Sequence, residues 1–272
     1  MFGAPRSSLV SYSPYFRVSD WDDATPIMQE MLDRSTLMPG WDSFGWSRAG
    51  DRLLWRNAFN DVDSMLSSFD TMTPFVNRML AGPATMDQFN FSAPLESLSQ
   101  IQAQTARDLA QFSTRPDLFE QVQEAEQGFF RKGLTGKSEN FCTMTPQYTI
   151  KDWDAARPIM QQIIDRSNQE PGCTYFGWEK SGNKLNSREN FTDGNAMRAH
   201  IENVKPLLEQ LKSGPALLDK LELHGPDKEM EKIKDVAASL NPEYFESSTK
   251  QIKDTQGPVE SSAGVIGEGV EA

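Results

Sequence analysis

Between Gln147 and Leu240 the apolar residues change period several times, and each change marks an element. Gln147 to Ile150 is a short extended run. Asp152 follows as a helix N-cap, and Trp153, Ile159, Met160, Ile163 and Ile164 recur at helical spacing to form one apolar face. Pro171-Gly172 breaks that helix. Cys173 to Glu179 is rich in aromatic and β-forming residues and predicts a strand. Ser181-Gly182-Asn183 predicts a hairpin turn, with Lys184 to Phe191 pairing back across it. Asp193 caps a second helix with apolar positions at Met197, Ile201, Val204, Leu207, Leu208 and Leu211, and Ser213-Gly214-Pro215 stops it. Leu217 to His224 alternates as a fourth strand, and Gly225-Pro226 opens a third, charged helix running to Leu240.

The same pattern occurs earlier in the chain. Asp20-Trp21-Asp22, Pro26-Ile27-Met28-Gln29 and Asp33-Arg34-Ser35 return 132 positions on as Asp152-Trp153-Asp154, Pro158-Ile159-Met160-Gln161 and Asp165-Arg166-Ser167. The offset holds through Pro39-Gly40, Phe44-Gly45-Trp46, Gly82-Pro83-Ala84 and Pro94, so about 100 residues align without a gap at roughly 30% identity. Two long copies make a duplicated domain rather than a solenoid, whose units are ~20–50 residues and come in threes or more. The order β-α-β-β-α-β plus a terminal helix is the ferredoxin-like split βαβ unit. The expected organisation is a first, diverged copy over 12–113, a linker over 114–141, a second copy over 142–245, and a disordered tail over 246–272, where Ser, Thr, Gly, Glu and Gln replace large apolar groups.

A ferredoxin-like sheet has helices on one face only, so something else must cover the other. On the fourth strand Leu217, Leu221 and Leu223 oppose Lys220, Glu222 and His224; in the first copy Phe89 and Phe91 oppose Gln88, Asn90 and Ser92. Phe176 and Trp178 share a face, as do Phe44 and Trp46. The expectation is an α+β fold of two tandem ferredoxin-like domains packed sheet to sheet, closing an intramolecular dimeric α+β barrel around a mixed polar and aromatic cavity.

Composition narrows the classes. A net charge of −12, from 39 acidic and 27 basic residues, argues against nucleic acid and against an anionic membrane face. No run reaches the ~18 apolar residues of a spanning helix. Met1 to Val10 has one Arg and no apolar run, so no signal peptide is expected. Cys142 and Cys173 stand where the first copy has Val10 and Trp41, which predicts buried free thiols and a reducing compartment. The expected location is cytoplasmic, or an organelle lumen where a transit peptide has been removed. Phosphate loops, dinucleotide fingerprints, nucleophile elbows and metal-spaced Cys/His clusters are absent, and no metal is expected.

The run Gly172-Cys173-Thr174-Tyr175-Phe176-Gly177-Trp178-Glu179, then Arg188-Glu189-Asn190-Phe191, Asp193, Ala199-His200-Ile201-Glu202-Asn203-Val204 and Leu221-Glu222-Leu223-His224-Gly225-Pro226, resembles the antibiotic biosynthesis monooxygenase family of the dimeric α+β barrel superfamily. The resemblance covers the second copy and, through the repeat, the first. It implies a cofactor-independent monooxygenase oxidising a small quinol-type aromatic with O2. Members also include haem-degrading enzymes, in which His200 would stand as an axial ligand, and proteins without known chemistry. The alternative is a non-catalytic protein binding a hydrophobic ligand or a partner chain. Either a pseudo-dimeric monomer or a higher homo-oligomer fits.

For the enzyme, His224 is the expected base, with Glu222 tuning it, Arg188 the oxyanion partner, and His200 a further acid/base. Each histidine equally fits a satisfied structural role, and Arg188 and Arg56, identical between the copies, equally fit salt bridges to a carboxylate such as Glu189 or Glu222. Trp178, Tyr175 and Phe176, with Trp46, are expected to line the cavity, unless they are core. Because the first copy has Ser68, Ser92 and Trp41 where the second has His200, His224 and Cys173, the pocket is expected in the second copy.

Overall fold

The computed structural model describes residues 10–35, 38–108, 117–121, 129–130 and 140–247. In the first half, strands β1 (Val10–Val18), β2 (Trp41–Ala49), β3 (Arg52–Phe59) and β4 (Ala84–Ala93) carry helices α1 (Trp21–Ser35), α2 (Val62–Ala81) and α3 (Leu95–Asp108). In the second half, β7 (Cys142–Ile150), β8 (Cys173–Ser181), β9 (Lys184–Phe191) and β10 (Ala216–Gly225) carry α4 (Trp153–Ser167) and α5 (Gly194–Ser213). Each half therefore has the expected β-α-β-β-α-β order. Asp61, Asp152 and Asp193 cap α2, α4 and α5 through their side chains, Asp61 and Asp193 accepting from the backbone N–H three residues on. Gly50 and Gly182 turn the two β-hairpins at φ +58, the left-handed region such turns require.

The strands form one sheet of eleven, in the order β5-β4-β1-β3-β2-β11-β10-β7-β9-β8-β6, and β5 also pairs with β8. The sheet therefore runs round a nearly closed barrel. Two short strands join the halves by the same device. β5 (Asp117–Gln121) lies parallel to β4 and pairs antiparallel with β8 of the other half. β11 (Glu243–Glu246) lies parallel to β10 and meets β2 of the other half through a single pair, Glu246–Arg48. The segment expected to be a linker thus supplies β5 and the two-residue β6 (Phe129–Phe130), and pairing runs into Glu246, the first residue of the expected tail. Ser247 N–H donates to the Gly225 carbonyl at 3.0 Å, and residues 248–272 of that tail lie outside the described residues.

The charged third helix of the second half is not continuous. It is α6 (Asp227–Met230), α7 (Lys234–Ala237) and a 3-10 turn at Ala238–Leu240, where α3 of the first half spans 14 residues.

Side-chain alternation decides what faces where. Helices cover the outside of the barrel, and two apolar cores lie beneath them, one per half. The lumen receives the other set: Ser11, Ser13, Tyr15, Arg56, Asn90 and Ser92 from one half, and Thr145, Glu179, Asn186 and Arg188 from the other. The expected aromatic lumen is therefore corrected. Phe176 and Trp178 belong to the helix-covered core of the second half, with Phe44 and Trp46 in that of the first, because they occupy the opposite parity from Glu179 and Ser47. Of the expected aromatic wall, Tyr175 alone turns inward: its hydroxyl lies 2.7 Å from where a Cβ on Gly177 would stand, and Arg188 lies 5.6 Å from its ring centre. Both cysteines are free, buried thiols.

Candidate functional site

The residues singled out in sequence fall into two clusters on opposite sides of the sheet. Arg56, Arg188, Glu222, His224 and Tyr175 face the lumen, whereas His200, Phe176, Trp178 and Trp46 lie under the helices.

In the lumen each arginine reaches across to the other half. Arg56 donates to Thr143 Oγ1 at 3.0 Å, to Thr145 Oγ1, and to His224 Nε2 at 3.1 Å. Arg188 pairs with Glu179 and donates to Ser11 Oγ and to Ser92 Oγ, the last at 3.5 Å. Its partner is thus Glu179, not the expected Glu189 or Glu222. His224 sits 2.6 Å from Ser47 Oγ through Nδ1 and stacks on Phe245, centroids 4.6 Å apart.

The tautomer of His224 follows from these partners. A guanidinium can only donate, so Nε2 carries the lone pair and Nδ1–H donates to Ser47. Burial and then the charge on Arg56 push the His224 pKa down to about 4, so the ring is neutral near pH 7. Glu222 accepts from the Tyr15 hydroxyl at 3.1 Å and is ion-paired with Lys220 Nζ at 2.6 Å. Burial works against its charge, but the His224 imidazolium that forms in acid, 3.5 Å away, and Lys220 prevail and hold it at about 2. The space left between Arg56 and Arg188 is about 20 Å³, room for about one water.

Beneath the helices, α5 places His200 against two carboxylates. Its Nδ1 is 2.8 Å from Glu170 Oε2 and its Nε2 is 3.0 Å from Glu189 Oε2. Asn203 donates to Glu170 and Ser187 to Glu189, each at 2.6 Å. Burial opposes a charge on the ring, yet Glu189 and Glu170 outweigh it and raise the pKa to about 9. His200 is therefore an imidazolium that donates from Nδ1 to Glu170 and lies in ion-pair contact with Glu189 through Nε2. The first half solves the same positions without charge: Ser68 Oγ meets the Tyr12 hydroxyl at 3.2 Å, Trp55 Nε1 donates to Asn57 Oδ1 at 3.0 Å, and Met38 replaces Glu170.

Axial ligation of haem needs an imidazole lone pair. Nδ1 of His200 donates to Glu170, its Nε2 lies 3.0 Å from Glu189 Oε2, and the lone pair of His224 faces Arg56, so neither imidazole in this arrangement offers haem a lone pair.

A third feature was not anticipated. A cavity of about 90 Å³ lies between α1 and β2–β3 of the first half, bordered by Trp21, Thr25, Met28, Gln29, Trp46, Ser47, Arg48 and Leu53. Arg48 stacks over Trp21 at 4.0 Å. The indole N–H groups of Trp41, Trp46 and Trp178 are buried without a hydrogen-bond partner among the described residues, and of the three only Trp46 borders this cavity. Ser47 borders it too, but its hydroxyl turns to the lumen, where His224 holds it. The cavity shifts attention from the second half to the first. Sequence reasoning missed Glu170, Glu179, Ser47 and Tyr15. The signal for the acids lay in the repeat, where Met38, Ser47 and Asn57 of the first copy become Glu170, Glu179 and Glu189 of the second.

No protein-family model matches the chain, and no curated protein matches it. Among solved structures, the chain is similar to a "putative monooxygenase" from Fusobacterium nucleatum (11% identity, 80% of this chain and 90% of that one, TM-score 0.54). It is equally similar in extent to a "putative monooxygenase" from Lactobacillus acidophilus (11% identity, 79% and 91%, TM-score 0.50). MupZ from Pseudomonas fluorescens matches 39% of this chain over 89% of its own length, at 27% identity and TM-score 0.37. At such identity the first two establish the fold alone. The chain has the α+β barrel of monooxygenase-like proteins, the fold that the sequence resemblance implied.

Proposed function

We propose that the protein is a monooxygenase-type oxidoreductase that binds a small, single-ring, quinol-type aromatic in the Trp21–Trp46 cavity, where O2 oxidises it without a bound cofactor. The observation that carries this reading is the partnerless indole N–H of Trp46 beside a cavity that Ser47 also borders. The Ser47 hydroxyl is engaged by His224 on the lumen side of the sheet, so the Trp46 indole is the donor on offer. One N–H donor and two aromatic walls suit a phenolic oxygen bearing negative charge. At about 90 Å³ the cavity is smaller than the ~150 Å³ that encloses benzene, so a single ring would project through its mouth.

In this reading His224 is not the base. Its lone pair is taken by Arg56, and its pKa of about 4 lies roughly 6 units below a phenol near 10, a gap of about 8 kcal/mol. The substrate therefore enters as its anion, and the substrate supplies the electrons that pass to O2. Turnover should climb with pH towards the substrate's own pKa. The same accounting favours a second reading, binding without turnover, since neither imidazole has a nitrogen free to accept a proton.

The deciding experiment follows oxygen uptake and tryptophan fluorescence with a panel of quinols between roughly pH 6 and 10. Uptake that rises with pH and falls about tenfold or more in Trp46→Phe, which removes the indole N–H, supports oxidation. Quenching without uptake leaves the binding protein standing, and the absence of both sinks the two readings together.

A further inference from the structure

The lumen network holds one more positive charge than negative. Arg52 and Lys220 pair with Glu222 and Glu243, and Arg188 pairs with Glu179. Arg56 is left over: its partners are two threonine hydroxyls and a neutral imidazole, and no carboxylate among the described residues is in ion-pair contact with it. The repeat shows why. Glu179, which neutralises Arg188, stands where the first half has Ser47. The duplicate arginine has kept its place and lost its counterion. Those three bonds use three of the five N–H donors of Arg56.

Arg56 and Arg188 border the same cleft, with Ser11, Ser13, Asn90 and Thr145 around it. Glu179 borders it as well, but its charge is taken by Arg188. Burial, and then the nearby charge of Arg188, lowers the pKa of Arg56, while Tyr15 and Glu222 oppose that shift. A negative charge between the two guanidiniums would relieve their repulsion. The space of about 20 Å³ admits an ion about the size of one water.

We propose that the cleft between Arg56 and Arg188 is a binding site for one small monovalent anion of chloride size, which serves as the counterion of Arg56. The site draws on both halves of the chain, so it exists only in the closed barrel. It does not depend on the oxidation of a quinol and stands or falls separately.

The test is the line width of the chloride-35 NMR signal with the full-length protein in gluconate buffer. The wild type should give excess broadening that formate displaces, with affinity at least tenfold weaker in Arg56→Gln. A second variant guards against misfolding: Ser47→Glu combined with His224→Ser installs the pair that the other half uses, Glu179 and Ser92, and so supplies an internal carboxylate. It should fold and lose the chloride signal. Wild-type broadening no greater than that of Arg56→Gln, or broadening retained in the double variant, overturns the proposal.

Discussion

His200 makes the stability of this protein depend on alkaline pH in a way that can be isolated. Its pKa rises from 6.5 to about 9 on folding, because Glu189 and Glu170 outweigh its burial. A raised pKa contributes stability that is fully present below the unfolded value and is lost as pH climbs through the folded one. The loss therefore falls between about pH 6.5 and 9, and 2.5 units correspond to about 3 kcal/mol. Other groups titrate in that window, so the comparison must be with a variant lacking only this cluster. The first half provides the design: Glu170→Met, Glu189→Asn and His200→Ser together install the residues of Met38, Asn57 and Ser68. Urea unfolding at roughly pH 6.5 and 9.5 should show the wild type losing about 3 kcal/mol more than the triple variant. Equal losses would refute the argument, for the imidazolium would then hold no net interaction with its two carboxylates. Replacing His200 alone is a poorer test, since two uncompensated buried carboxylates cost roughly 3–5 kcal/mol.

Three further outcomes follow from the packing and the electrostatics. His224 titrates in the opposite sense: with its pKa lowered from 6.5 to about 4, stability should fall by up to about 3 kcal/mol as pH drops through that window, and His224→Ser should flatten the acid limb of a urea pH series. Phe245→Ala removes a fully buried ring stacked on His224; it should cost about 3–5 kcal/mol and move the His224 pKa up towards its ordinary value, read from the imidazole proton resonance. Gly194→Ala would place a Cβ 2.4 Å from the Glu229 carbonyl oxygen, so thermal unfolding should show a loss of about 1–3 kcal/mol, read against the wild type under the same conditions.

Much of the fold was legible because it is written in local periods. The alternation at Leu217–His224, the helical spacing from Met197 to Leu211 and the Asp152 and Asp193 caps each describe a few consecutive residues, and the structure has those elements. The third helix of the second half is interrupted at 231–233 although Met230, Ile233, Ala237 and Leu240 keep helical spacing and are buried, so periodicity alone did not show the break. The linker strands were missed for a different reason: β5 is stabilised by partners on β4 and β8, far away in sequence.

The candidate site was legible only in part. Alternation assigns Trp178 and Glu179 to opposite faces, but it does not say which face meets the helices. The large apolar area of Phe176, Trp178, Phe44 and Trp46 decides this by packing against α-helices, which leaves the arginines and acids to the lumen. The lumen's bonds join residues as far apart as Tyr15 and Glu222, 207 positions in sequence. By itself the sequence determined the duplicated βαββαβ unit and the residues that differ between its copies, because repetition and periodicity are properties of the chain. Which carboxylate meets which cation, the tautomer of His224 and the charge on His200 were decided only when the barrel closed, because burial and long-range contact set hydrogen-bond partners and pKa values.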